Sequence, residues 1–342
     1  MEFTSVEQHV LAAVRSCVRR KTTPTEQALG EHFQDLSQLP ELNDFGAQLE
    51  EWGQAIASLV EKGALIREDE AYALTEQGQA YARRFAKQLA SQFYDRWMIR
   101  HAQSPTYHTF CQRLYGQDLC QFNMVTKPQL EKLLQELRLT PKDRVLDMGC
   151  GIGTVTEYIS DVTRATITGL DQAAAAIAHA QERTAGKRER LTFLVGDMDE
   201  LTFPADSFEA IIALDTLYFV EDLPGTLSTM VEMLAPDGRM GLFWSEVTES
   251  NGLEERLRPE KTKLAEALVE TGLPFQFWDM TREERELWVG IVALAEELRP
   301  AFEAEGNHEL YKSIILEGQE MASYVEAGRI SRYLYCCQAA PG

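Results

Sequence analysis

The feature that most constrains this chain is the stretch Val145-Leu146-Asp147-Met148-Gly149-Cys150-Gly151-Ile152-Gly153-Thr154. An apolar run closing on an acid reads as a buried strand. The three alternate glycines read as a tight turn, and helix signals begin at Thr154. Glycines so spaced let a backbone bend sharply and approach a ligand with no Cβ in the way. A turn of this kind at the carboxyl end of a parallel strand is where open α/β sheets bind ligands. Asp147 can accept hydrogen bonds there from a cationic or hydroxylated group. The order D-x-G-x-G-x-G differs from the dinucleotide fingerprint G-x-G-x-x-G, whose glycines open a helix under a pyrophosphate.

The segments that follow repeat the theme of a short apolar strand ending in an acid. Residues 165–170 close on Asp171, which lies 18 residues after Gly153, room for one helix and a turn. A carboxylate placed there can accept from both vicinal hydroxyls of a ribose. Residues 191–195 lead to Gly196-Asp197-Met198, residues 208–214 lead to Asp215, and a turn at 235–238 leads to a fifth strand. Over about residues 130–342, these motifs in this order resemble the class I S-adenosylmethionine (SAM)-dependent methyltransferase family. The resemblance implies an α/β fold with a Rossmann-like seven-stranded sheet, and SAM as cofactor. It assigns the methionine part of SAM to Gly149, Gly151 and Gly153 and the ribose to Asp171, with Asp147, Cys150 and Gln172 also as cofactor-binding residues. It assigns the adenine amine to Asp197, with Met198 packed on the ring, and puts Asp215 at the edge of the cofactor. The implied reaction is in-line transfer of a methyl group to an N, O or C atom of a small-molecule or peptide acceptor.

Candidate catalytic residues follow from the same geometry. Asp215 and Glu246, after the fourth and fifth strands, are placed to orient or deprotonate an acceptor. Either reads equally as a satisfied loop acid, since strand-end loops are commonly polar. Tyr115 is the third candidate, from the aromatic segment 92–130 that joins two parts of the chain. That segment holds Phe93, Tyr94, Trp97, Tyr107, Phe110, Tyr115 and Phe122, with His101 and His108 among them. Aromatic faces there could hold a sulfonium or a cationic amine; for any one ring, a core role is the more ordinary reading.

Residues 1–91 have their own organisation. Helical spacing runs over 6–20, 25–33 and 45–62, followed by a hairpin with its tip at Glu68-Asp69-Glu70 and a helix over 79–91. Three helices and a hairpin closing on Tyr72-x-Leu74-Thr75-x-x-Gly78 resemble a winged helix. Reading DNA requires a basic recognition helix and wing, whereas this third helix carries Glu50, Glu51 and Glu61 against Lys62. The expectation is dimerisation, or walling of an active site. A SAM-responsive winged-helix transcriptional regulator is the alternative.

Charge supports that order of preference. The chain of 342 residues carries a net charge of −21, with 20 Lys and Arg against 38 Asp and Glu in residues 131–342. Such a surface repels a polyanion, so nucleic acid is disfavoured as acceptor or partner. The six cysteines show no CxxC spacing, so no metal site or disulfide framework is expected. Residues 1–10 do not resemble a signal peptide and no run approaches the ~20 apolar residues of a membrane span, so a cytoplasmic protein is expected. At the far end, residues 275–279 and 330–336 read as strands six and seven. The mostly helical stretch 281–326 between them is longer than the family's usual hairpin and is expected to cap the acceptor site.

Overall fold

The computed structural model describes residues 2–19, 22–37, 52–248 and 254–339. The chain forms two compact units, Met1–Trp97 and Met98–Gly342. The first contains α1 (Ser5–Arg19), α2 (Glu26–Ser37), α3 (Trp52–Glu61), the antiparallel hairpin β1 (Leu65–Glu68) and β2 (Ala71–Leu74), and most of α4 (Glu76–Ala102). Val10, Leu11, Val14, Leu29, Ile56, Leu59, Tyr72 and Phe85 make its core. Residues 45–51 of the expected third helix, with Glu50 and Glu51, lie outside the described residues. The helix expected over 79–91 instead runs to Ala102, through the first part of the joining segment. Nothing between those points breaks it; the break comes at Ser104-Pro105, because a proline disfavours helix in the residue before it. Ser104 then caps the next helix by accepting from the Tyr107 amide at 3.1 Å.

The second unit is built on one sheet. Its strands are β3 (Arg144–Met148), β4 (Thr166–Asp171), β5 (Leu191–Val195), β6 (Phe208–Leu214), β7 (Leu234–Val247), β8 (Phe275–Asp279) and β9 (Ile330–Gln338). They lie in the order β5-β4-β3-β6-β7-β9-β8, with β9 antiparallel to both neighbours and the first five strands parallel. Side chains alternate between the two faces, as the pleat requires. Leu146, Ile211, Leu242 and Tyr335 join a core under α9 (Leu223–Met233) and α10 (Lys263–Thr271). Val145, Ile212, Phe243 and Leu334 join another under α6 (Lys127–Leu137), α7 (Thr154–Thr163) and α8 (Ala174–Arg183). The adjacent cysteines divide the same way, Cys337 into the first core and Cys336 against the second.

Three further helices pack together in this unit: α5 (Pro105–Tyr115), α11 (Thr281–Ala304) and α12 (His308–Glu326). Glu305, after α11, accepts from Ser104 Oγ and the Thr106 amide, each at 2.7 Å, which ties the start of α5 to the end of α11. Gly318 lets α12 approach α11 closely, since a Cβ there would stand 3.0 Å from side-chain carbons of Ile291 and Val292. The strand order reverses between β3 and β6, which opens a crevice outside their carboxyl ends.

Candidate functional site

The glycine turn occupies that crevice. The amides of Gly149 and Cys150 both donate to Leu170 O, at 2.8 and 3.1 Å, fastening the turn to the end of β4. Gly149 and Gly153 have φ of 78° and 72°, in the left-handed region that side chains disfavour. Space forbids a side chain as well: a Cβ would stand 2.4 Å from Thr216 at Gly149 and 2.4 Å from Phe193 at Gly153. The turn therefore presents bare backbone to the crevice, with the Met98 sulfur and the Phe122 ring bordering Gly151.

Acids converge on this turn from successive strand ends. Asp147 is buried and accepts from Thr156 Oγ1 at 2.6 Å. Burial pushes its carboxyl pKa up to about 7; the Thr156 bond opposes the shift and the Asp171 charge adds to it. Burial also pushes the Cys150 thiol well up, with Asp147 and Asp171 adding to the shift. Asp171 is 8% exposed and accepts from the Gly151 amide through one oxygen and the Ala173 amide through the other, each at 2.8 Å. Gln172 follows, half-buried. The Gly196 amide donates to Asp171 O at 3.0 Å, bringing the next strand end alongside. Asp197 there accepts from the Asp199 amide at 2.9 Å, and Met198 packs against the core.

A second cluster lies where β6 and β7 end. Asp215 has φ of 60° and is held by Arg332, whose two terminal nitrogens each donate to one of its oxygens at 2.7 Å. Arg332 projects from β9, is 0% exposed, and also donates to Ser245 Oγ at 2.9 Å. Glu284, 1% exposed on the first turn of α11, accepts from Ser245 Oγ at 3.0 Å and Trp288 Nε1 at 2.8 Å. Burial lowers the Arg332 pKa, but Asp215 and Glu284 more than reverse this and hold it above the usual arginine value. Asp215 also accepts from the Met124 amide at 2.9 Å, and the Tyr115 hydroxyl contacts the Met124 sulfur at 3.8 Å. Tyr115 and Asp215 thus share one neighbourhood.

Glu246 lies apart from it. Strand alternation turns it to the face opposite Ser245, where it accepts from the Lys263 amide at 2.8 Å, at the start of α10, and from Trp244 Nε1 at 3.0 Å. Its bonds are those of a helix anchor. Among the aromatics of the joining segment, Tyr107 packs against His101, Phe110 and Phe122, and donates to Gln121 O at 2.8 Å. Phe93, Tyr94 and Trp97 contact one another in the first unit. Arg332 and Glu284 were not among the expected site residues. Their signals were an arginine inside an otherwise apolar strand and an acid in step with the buried face Leu287, Ile291 and Leu294. Among the described residues, no group of His, Cys, Asp and Glu is placed to hold a metal ion.

The glycine turn lies in a stretch that is similar to known proteins. Residues 145–238 match a family model described as a methyltransferase domain. Sterol 24-C-methyltransferase of Gibberella zeae is 28% identical over 166 residues, covering 46% of this chain and 42% of that protein. Among solved structures, Haemonchus contortus phosphoethanolamine N-methyltransferase 2, in complex with phosphomonomethylethanolamine and S-adenosylhomocysteine, superposes with a TM-score of 0.58 at 18% identity. That match covers 72% of this chain and 60% of the other. The 4+2 cyclase SpnF superposes with the same TM-score, 0.58, at 18% identity, over 75% of this chain and 97% of the other. At these identities the structures share the fold, and a fold hosts more than one chemistry.

Proposed function

We propose, from the premise that this chain carries a class I SAM-dependent methyltransferase domain, that it transfers the methyl group of SAM to a small-molecule acceptor. The observation that carries this reading is the bare glycine turn with Asp171 bonded to its Gly151 amide. The residues present fit SAM: the turn leaves no Cβ between backbone and ligand, and Asp171 sets a buried carboxylate against it through the Gly151 amide. When bound, SAM would supply an electrophilic methyl carbon for an acceptor lone pair to attack in line with the carbon–sulfur bond, the bonding pair leaving on sulfur.

This chain's own residues position the reactants. The turn at Gly149, Gly151 and Gly153 would admit the methionine part, Asp171 with Gln172 the ribose, and Asp197 with Met198 the adenine. Asp215, locked by Arg332, fixes the wall at the end of β6 and holds the Met124 amide, and so serves as a positioning residue. Tyr115, on α5, lies beside Met124. The N-terminal unit serves in this reading for dimerisation rather than for reading DNA.

Calorimetry with S-adenosylhomocysteine tests the cofactor assignment. Wild-type protein should bind it, and Asp171→Ala should weaken binding by at least about tenfold, the scale of a lost charge-assisted bond. Unchanged affinity in the variant would sink the ribose assignment.

A further inference from the structure

Two buried acids of the crevice share one face of the sheet and are held differently. Asp147 pairs with Gly169 in the parallel register of β3 and β4, and Asp171 stands two residues beyond Gly169 at the end of β4. Side chains two apart on a strand share a face, so both carboxyls lie on the same side of adjacent strand ends. Asp171 accepts from one backbone amide on each oxygen, a pair of donors that suits an ionised carboxylate. Asp147 is 2% exposed, and only its Oδ2 is bonded, to the neutral hydroxyl of Thr156 on α7. Among the described residues no cation pairs with it. On its other side β6 sets Ile212 opposite it. The other titratable neighbour is Cys150 on the turn, whose thiol burial holds in its neutral form. Like charges on adjacent strand ends, away from water, are not both kept at neutral pH; the better-bonded acid stays ionised and the other carries the proton. The pKa of about 7 at Asp147 has these same causes, burial first, with the Thr156 bond opposing and the Asp171 charge adding.

We propose that binding of the cofactor drives a proton off Asp147 into solvent, so that the site gains its cationic ligand and loses a proton together. The inference rests on the methyltransferase reading, which puts the amino-acid part of the cofactor on the glycine turn that follows Asp147. SAM and S-adenosylhomocysteine both carry an ammonium group in that part. A cation beside a buried carboxyl favours its ionised form, and here it also offsets the repulsion from Asp171 that kept the proton in place. No bond of the cofactor breaks; the proton passes from the carboxyl to the buffer. Because the free protein holds this proton and the complex does not, binding tightens as pH rises through neutrality.

The test titrates S-adenosylhomocysteine by calorimetry into the full-length protein in PIPES and in imidazole, buffers whose heats of ionisation differ, so that the difference in heat counts protons. At about pH 7 the wild type should release about half a proton per site, the share of free protein that carries it at the Asp147 pKa. Affinity should rise about fivefold from about pH 6 to about pH 7.5. Asp147→Asn cannot ionise at this position; it should bind without releasing a proton and with affinity flat over that range, its circular dichroism spectrum as in the wild type. In the wild type the release should fade by about pH 8.5, where Asp147 is already ionised in the free protein. No release at about pH 7, a release that persists at about pH 8.5, or an equal release from Asp147→Asn overturns the inference; the first two decide it even if the variant does not fold. Failure of the wild type to bind S-adenosylhomocysteine at all overturns the methyltransferase reading, and this inference with it.

Discussion

Both oxygens of Asp215 are held by Arg332 at 2.7 Å, which commits its carboxylate to a buried ion pair. Its importance is structural, and so is that of its partner. Arg332→Met would leave Asp215 and Glu284 buried without their counter-ion, and should cost about 3–5 kcal/mol of stability, read from urea unfolding. Asp147 behaves differently. Its folded pKa of about 7 lies above the ordinary aspartate value of about 3.9, so the folded chain binds this proton more tightly than the unfolded chain does. The resulting stability is fully present below about pH 4 and is lost as pH rises through about 7. Thermal unfolding without ligand should therefore show a larger fall in Tm between about pH 5 and pH 8 for the wild type than for Asp147→Asn. The strand-end position of these acids could be read from sequence because each closes an apolar strand. Arg332 could not be paired with Asp215 from sequence, as 117 positions separate them.

At the scale of elements, the parallel strands were legible because strands buried on both faces read as apolar runs. Strand β8 falls where expected, over Phe275–Asp279, and the stretch 281–326 resolves into α11 and α12. The length of α4 was not legible from its apolar spacing, since its end is set by Ser104-Pro105 rather than by a change of pattern. Nor was the contact between α11 and α12, which depends on the missing side chain at Gly318. Gly318→Leu would force the two helices apart. We expect it to cost about 1–3 kcal/mol in thermal unfolding, with S-adenosylhomocysteine affinity little changed because the glycine turn lies on other elements.

For the molecule as a whole, charge sets the company it keeps. A net charge of −21, and an acidic hairpin tip at Glu68-Asp69-Glu70 where a DNA-reading wing would be basic, oppose phosphate contacts. A gel-shift assay at about 0.1 M salt should show no retardation of duplex DNA, with or without SAM; a shifted band would restore the regulator reading. The same field attracts cations, so the rate at which any cationic ligand binds should fall as salt rises. The sheet order carries a consequence for how the molecule is made. β9 lies between β7 and β8, both of which precede it in the chain, and it supplies Arg332. A nascent chain can complete the glycine turn long before residue 330 leaves the ribosome, while the Asp215 wall waits for a late strand to enter a gap between two earlier ones. The glycine turn can thus stand complete during synthesis before Arg332 reaches Asp215.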